Sequence, residues 1–416
     1  MRIGYACLTV GINKLDSYKT CTIKKYSEEN IRDIIDYNLN VLFSTLKYNV
    51  ENNIKMFRIS SDIIPLATHP INEFNWVDEF REKMKLIGEY IKANDIRVSM
   101  HPGQYTVLNS INEDVVNRAV LDLEYHCKFL DSLEVDATNK IILHIGGVYD
   151  NKLEAMRRFE TKYFKLNENI KARLIIENDD KLYNIKEVLE ISSNTGIPVV
   201  FDNLHHEINN SDLYTEVKWI EKCIETWKKK DGKCKIHYSN QNLDKRVGAH
   251  SDFIYINQFL EFCNRIMHLD VDIMLEVKDK NLSAIKCINC TSIQNKKVYE
   301  KEWARYKYVI LERNHNIYKD IRKYLKTNDF NSKHFYLLIE KAMSTSNTDG
   351  GYLNGFDHVW GYFKKVCTDR EKEMYKKKLE AFNNEELKAK SMKNFLYKMA
   401  IKYESKYLLD SYYFEF

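Results

Sequence analysis

Eight short runs of apolar and β-branched residues recur along the first 280 residues of the chain, at 2–8, 56–60, 97–102, 140–147, 173–179, 198–206, 234–240 and 272–280. Longer stretches of helical period separate them. In 112–133 (NEDVVNRAVLDLEYHCKFLDSL) apolar residues return every three or four positions, and Asn112 stands where an N-cap belongs. Strand-then-helix alternation of this regularity predicts a parallel sheet, and eight units match a TIM (β/α)8 barrel of the α/β class. Two smaller three-layer domains would also fit the count but would scatter the polar residues that end the runs. Alternation within 234–240 puts Lys235, His237 and Ser239 on one face and Ile236 and Tyr238 on the other. The polar set is therefore expected to face the barrel interior at the C-terminal ends of the strands.

Beyond residue 290 the pattern changes to helical period throughout, rich in aromatic residues and free of proline; all four prolines (Pro65, Pro70, Pro102 and Pro198) precede residue 200. A boundary near 291 is expected to divide a barrel (1–290) from a smaller all-α C-terminal domain (291–416). Aromatic residues at helical spacing in this second part read as core rather than as a base-stacking surface. The cluster of Gly350, Gly351 and Gly355 reads as a loop between helices.

Charge sharpens the division. Residues 1–290 carry 39 Lys/Arg against 43 Asp/Glu, whereas residues 291–416 carry 25 against 17, so a slightly acidic body precedes a basic appendage. No run approaches the roughly 20 apolar residues that span a bilayer, and the opening MRIGYACLTV lacks a basic leader, so the expectation is a soluble cytoplasmic protein. Nine cysteines without regular spacing suit a reducing compartment, and the Cys287 to Cys290 pair has no second pair to complete a zinc site.

The chemistry lies where the strand-like runs stop. VVFDNLHH ends on Asp202 and His205, SMHPGQY on His101, IILHIGG on His144, LIIENDD on Glu177, KIHYSN on His237 and IMLEVKDK on Glu276, and GAHSDF adds His250. Any one of these alone reads as a satisfied core group or a helix cap. Eight imidazole and carboxylate donors converging from different strands exceed what one ion needs and suit two or three divalent ions, an arrangement able to hydrolyse a phosphodiester.

Taken in order, RIGYACL, ISSDIIPLATHP, SMHPGQYTVLNS, LHIGG, IIENDD, VVFDNLHH, KIHYSN, GAHSDF and LEVKDK resemble the UV damage endonuclease family over residues 1–285. That resemblance implies an endodeoxyribonuclease that cuts double-stranded DNA immediately 5′ to cyclobutane pyrimidine dimers or 6-4 photoproducts, leaving a 3′-hydroxyl and a 5′-phosphate. It implies two or three divalent ions, manganese first with zinc or magnesium as alternatives, and neither a membrane nor a nucleotide cofactor; protein partners are not indicated. Carried over by position, His101, His144, Glu177, Asp202, His205, His237, His250 and Glu276 are metal ligands. Glu177, Glu276, Lys235 and His69 are catalytic, and Lys235 is a candidate for carboxylation. Gln104 and Tyr105 would enter the base stack, and Tyr5 would line the damage pocket. The barrel also resembles endonuclease IV, the abasic-site enzyme, but Gly248 stands two residues before His250 where that family has an aspartate. A metal-dependent sugar isomerase on the same barrel is the third reading. Residues 300–416 weakly resemble a helical domain family of unknown function.

Overall fold

The computed structural model describes residues 1–11, 17–327 and 329–416. Eight parallel strands, β1 (Ile3–Ala6), β2 (Met56–Ile59), β3 (Arg97–Met100), β4 (Ile141–His144), β5 (Leu174–Glu177), β6 (Val199–Val200), β7 (Cys234–Tyr238) and β8 (Val271–Leu275), alternate with helices. They form one sheet in the order β6-β5-β4-β3-β2-β1-β8-β7. The remaining gap between β6 and β7 is bridged by a parallel pairing of Asp202 with His237, in which His237 N–H donates to Phe201 O at 2.8 Å. The result is a TIM barrel, with an all-α region following it.

Each predicted strand is present, though shorter than its run because the residues after it belong to the loops at the barrel mouth. The largest difference is at 198–206. The strand is Val199–Val200 alone; Asp202, still extended, caps the helix Asn203–Ile208, its Oδ1 accepting from His205 N–H at 2.8 Å. A short-side-chain acid at the end of a strand satisfies a helix N-terminus, so His205 lies one helical turn on rather than in the strand. Asn112 caps the helix Glu113–Ser132 as expected.

Strand alternation sorts the interior into layers. Ala6, Met56 and Met274 pack together on the inward face, as do Ile142, Ile175 and Val200. Gly4 also faces inward, and a Cβ there would lie 2.1 Å from Met56 O, so β1 and β2 approach as closely as they do because position 4 has no side chain. At the N-terminal end of the barrel, Arg97 meets Asp272 at 3.1 Å and Lys140 meets Asp231 at 2.7 Å, closing that end with paired charges. All nine cysteines are free thiols.

The chain divides into two compact units, one containing Ser17–Ile254 and Glu261–Ile288, the other Tyr255–Leu260 and Asn289–Phe416. In the second, the aromatic residues are mostly core, as expected, with Tyr306, Tyr308, Tyr318, Tyr336, Tyr412 and Tyr413 all buried. Two buried ion pairs, Glu302–Arg305 at 2.8 Å and Glu312–Lys393 at 2.7 Å, sit among them. The glycine cluster corrects the loop expectation, because Gly350, Gly351 and Gly355 lie inside the helix Asp349–Trp360. A Cβ at Gly351 would fall 2.0 Å from Glu312 O, and one at Gly355 3.1 Å from Glu312 Oε2 and from Tyr413 Oη. These two glycines let the helix approach Lys296–Arg313 backbone to backbone, an advantage that outweighs their low helix propensity. Among the described residues no helix is long and apolar enough to cross a membrane.

Gly4→Ala should destabilise the barrel by about 3 kcal/mol, since backbone rather than a movable side chain blocks the new methyl. Gly350→Ala, whose Cβ would meet nothing within 4 Å, should leave stability unchanged or raise it by up to about 1 kcal/mol. Urea titrations followed by circular dichroism measure both.

Candidate active site

Glu177 ends β5 with its carboxylate buried at the barrel mouth. His237, two strands away on β7, donates Nδ1–H to Glu177 Oε1 at 2.9 Å and lies 3.2 Å from Glu276 Oε1. His101 Nε2 approaches Glu177 Oε2 at 3.4 Å, and His205 Nδ1 lies 3.6 Å from Glu177 Oε1 and 3.7 Å from Asp202 Oδ1. The rings form an arc, with centroid separations of 5.1 Å for His101–His144, 5.8 Å for His144–His205 and 6.5 Å for His205–His250. His250 Nδ1 is 3.8 Å from Glu276 Oε2, at the more open end of the arc.

Three donor triads result, His101/His144/Glu177, Glu177/His237/Glu276 and Glu177/Asp202/His205, each with ligand atoms within 4.8 Å of one another. Glu177 belongs to all three. The backbone orients two of the imidazoles: His101 donates Nδ1–H to Pro102 O at 3.0 Å and His205 to Asn178 O at 2.9 Å, leaving each Nε2 as the available donor atom. Four buried atoms of the cluster have no hydrogen-bond partner among the described residues: His144 Nδ1, His237 Nε2, Glu177 Oε2 and Asp202 Oδ2. Buried polar atoms are rarely orphaned without an ion or water to meet them. Nitrogen and anionic oxygen are the donors a divalent transition ion takes, so the residues fit such ions.

The local charges set the protonation states. Burial depresses His101, and although Glu177 opposes this, its imidazole falls to about 4 and is neutral at pH 7. Burial also works against a charged His205, but Asp202, Glu177 and Glu276 outweigh it and raise that imidazole to about 9. Burial would favour protonated carboxyls at Glu177 and Glu276; His237 with His101 overcomes this at Glu177 and Arg58 with His237 at Glu276, holding both well below the usual carboxylate range. Lys235 faces inward two residues before His237, 1% exposed, and burial together with Arg97 and Arg58 lowers its ammonium pKa far below that of a free lysine. No hydrogen bond or ion pair of its Nζ occurs among the described residues.

Arg58 was missed in the sequence. Its guanidinium forms a close ion pair with Glu276 Oε1 inside the barrel. The signal existed in MFRIS, where a lone arginine alternates with Met56 on the inward face. Gly248 has φ +85°, a backbone conformation in which any side chain would be strained, and a Cβ there would come 2.7 Å from Asp180 Oδ2. His69 lies on the loop after β2, half-buried, with Nδ1 accepting from Ile71 N–H at 3.1 Å. Among the described residues no hydrogen bond or ion pair joins it to the cluster.

His101, His144 and His205 share a cleft of 470 Å³ with Gln104, Asp180 and Arg246. Tyr105, beside Gln104, is 72% exposed, its ring lying over Gly103, where a Cβ would fall 2.4 Å from Cε1. Tyr5 does not belong to this set. It is wholly buried on the outward face of β1, donating Oη–H to Asn49 Oδ1 at 2.8 Å and meeting Phe57 edge to face at 5.2 Å. Gly4 and Ala6 take the inward positions, so alternation directs Tyr5 into the helix layer, and the expectation that it contacts DNA is corrected.

A family model described as UV-endonuclease UvdE matches residues 1–306. The chain belongs to the UV-endonuclease UvdE family. A second model, for a protein of unknown function (DUF1722), matches residues 307–416. Among UvdE relatives, the chain is 43% identical over 382 residues to a UV DNA damage endonuclease of Clostridium perfringens (strain 13 / Type A), covering 91% of this chain and 92% of the relative. It is 35% identical over 299 residues to one of Bacillus cereus (strain Q1), covering 70% of this chain and 94% of that one. The crystal structure of SacUVDE superposes with a TM-score of 0.65 at 41% identity, covering 69% of this chain and 96% of that chain.

A raised His205 fixes the sign of a pH effect. The metal-free site holds this imidazole protonated at pH 7, and its contribution to stability, complete below about 6.5, is lost as pH rises through about 9. A ligand nitrogen must be neutral, so ion loading at pH 7 should release about one proton and strengthen as pH rises towards 9. Calorimetric Mn²⁺ titrations in two buffers of different ionisation enthalpy read the proton count; no release at pH 7 would contradict it.

Proposed function

We propose that this chain is a metal-dependent endonuclease that nicks double-stranded DNA immediately 5′ to UV photoproducts, both cyclobutane pyrimidine dimers and 6-4 photoproducts, in the bacterial cytoplasm. The observation that carries this reading is the sharing of Glu177 by three donor triads at the mouth of a UvdE-family barrel, beside an exposed Gln104–Tyr105 tip. Residues 1–290 would be the nuclease domain and 291–416 a separate helical domain.

In this reading His101, His144, Glu177, Asp202, His205, His237, His250 and Glu276 hold two or three ions, manganese first with zinc or magnesium as alternatives. Such ions supply Lewis acidity for phosphodiester hydrolysis at neutral pH. The chain's own residues do the positioning. Glu177 ties the triads together, His237 joins Glu177 to Glu276, and Arg58 fixes the Glu276 carboxylate. Hydrolysis adds water oxygen to phosphorus, breaks the bond to the 3′ oxygen and returns a proton to it. His69 Nδ1 accepts from Ile71 N–H, and among the described residues no hydrogen bond engages its Nε2, which in this reading would meet the phosphate.

Lys235 supports a further part of the reading. A buried neutral amine can form an N–C bond to CO₂ and give up an N–H proton to solvent, leaving a carbamate anion that the charges of Arg58 and Arg97, which disfavour the ammonium, would favour. At the tip, Gln104 and Tyr105 would enter the duplex where the lesion leaves the stack. A photoproduct already weakens stacking and pairing, which lowers the cost of extruding it.

Glu177→Gln should reduce nicking by at least about a hundredfold on a duplex carrying one cyclobutane dimer, judged against the loss from altering groups that merely orient ligands. Full activity in that variant would refute the reading, and preferred cutting at an abasic site or turnover of sugars by the wild type would replace it. Gln104→Ala combined with Tyr105→Ala should weaken binding of the damaged duplex about tenfold while bound metal, counted by atomic emission, stays constant. Retained lesion discrimination would remove these residues from the damage contact.

A further inference from the structure

The helical unit contains two tyrosines that its core does not absorb. Tyr362 and Tyr407 are 42% and 38% exposed, and their rings stack at 5.7 Å with 12° between planes. Tyr362 Oη is anchored 2.7 Å from Tyr308 Oη. Lys307 Nζ lies 4.9 Å from the Tyr308 ring centre and 5.8 Å from that of Tyr407, and Arg322 lies over Tyr318 at 5.6 Å. The two exposed rings thus form one stacked pair over the buried Tyr308, with Lys307 set against the Tyr308 and Tyr407 rings.

Lys307 is half-buried, its one hydrogen bond among the described residues runs to Tyr308 Oη at 3.4 Å, and burial with Arg322 nearby lowers its pKa. Among the described residues neither Lys307, Arg322, Lys364, Lys365 nor Lys406 forms an ion pair with a carboxylate. Residues 291–416 as a whole carry 25 Lys/Arg against 17 Asp/Glu. A half-buried cation without an anion, next to exposed flat rings, is complementary to a chain that alternates phosphates with planar bases. An acidic peptide would supply charge but no flat partner for the rings.

We propose that this face of the helical unit binds single-stranded DNA, with Tyr362 and Tyr407 stacking on bases and Lys307, with Arg322, meeting phosphate. DNA is named because the barrel is read as a DNA endonuclease, and only in that choice does the inference rest on the proposed function. The surface itself lies wholly within the second unit.

Fluorescence anisotropy of the full chain with labelled dT15, in EDTA to remove ion-dependent contacts, tests it. Tyr362→Ala with Tyr407→Ala should weaken binding about tenfold or more, and Tyr362→Phe with Tyr407→Phe should restore it. Lys307→Gln should flatten the dependence of log affinity on log salt by about 0.7. Unchanged affinity in the alanine and glutamine variants, or equal affinity for heparin, would overturn the proposal, and tighter binding of rU15 would overturn the choice of DNA. Should the alanine variant unfold, cross-linking of wild-type protein to 5-iodouracil-substituted dT15 decides: adducts on Tyr362 or Tyr407 support the surface, adducts confined elsewhere reject it. Wild-type protein that binds dT15 through these tyrosines yet never nicks damaged duplex would sink the endonuclease reading and leave this surface standing.

Discussion

Two carboxylates, Glu177 and Glu276, are buried together at the mouth of one barrel, and the need to keep them ionised there governs what surrounds them. Like charges at close range and burial both favour protonation. The chain answers with Arg58 against Glu276, His237 between Glu177 and Glu276, and His205 at 3.6 Å from Glu177. The compensation is incomplete in hydrogen bonds, since Glu177 Oε2 and Asp202 Oδ2 have no partner among the described residues. A buried carboxylate oxygen without a hydrogen-bond partner is costly to stability, so the cluster carries an energetic cost in the folded chain.

The two ends of the barrel make the contrast plain. At the N-terminal end, Arg97 with Asp272 and Lys140 with Asp231 are as deeply buried as the residues at the mouth, yet each charge has its opposite close by. Burial of ionic groups is common to both ends; among the described residues, His144 Nδ1, His237 Nε2, Glu177 Oε2 and Asp202 Oδ2 of the mouth cluster have no hydrogen-bond partner. The difference separates charges that close the barrel from the candidate donors that the proposed function assigns to ions.

Much of this was legible in the sequence because strand alternation has a period of two and tolerates no slippage. His101, His144, Glu177, His237 and Glu276 each follow an apolar run, and their common face follows from that period. The same logic, applied to RIGYACL, would have turned Tyr5 outward with Phe57; its motif position suggested otherwise, and the small inward residues Gly4 and Ala6 offered too little contrast to decide. Arg58 was hidden because a single arginine in a strand reads as an exposed edge group. The glycines of Asp349–Trp360 misled for a related reason: close helix packing and loop flexibility both select a residue without a side chain, and only the neighbouring Glu312 distinguishes them.

The pairing of Asp202 with His237 that closes the β6–β7 gap has a consequence for how the protein tolerates change. Both members also supply donor atoms to the cluster, so the last seam of the barrel and its chemistry draw on the same two positions. Because that seam is a backbone bond, from His237 N–H to Phe201 O, a side chain at either position can be exchanged and a donor removed while the wall stays closed, so a change there reports on the cluster apart from the architecture.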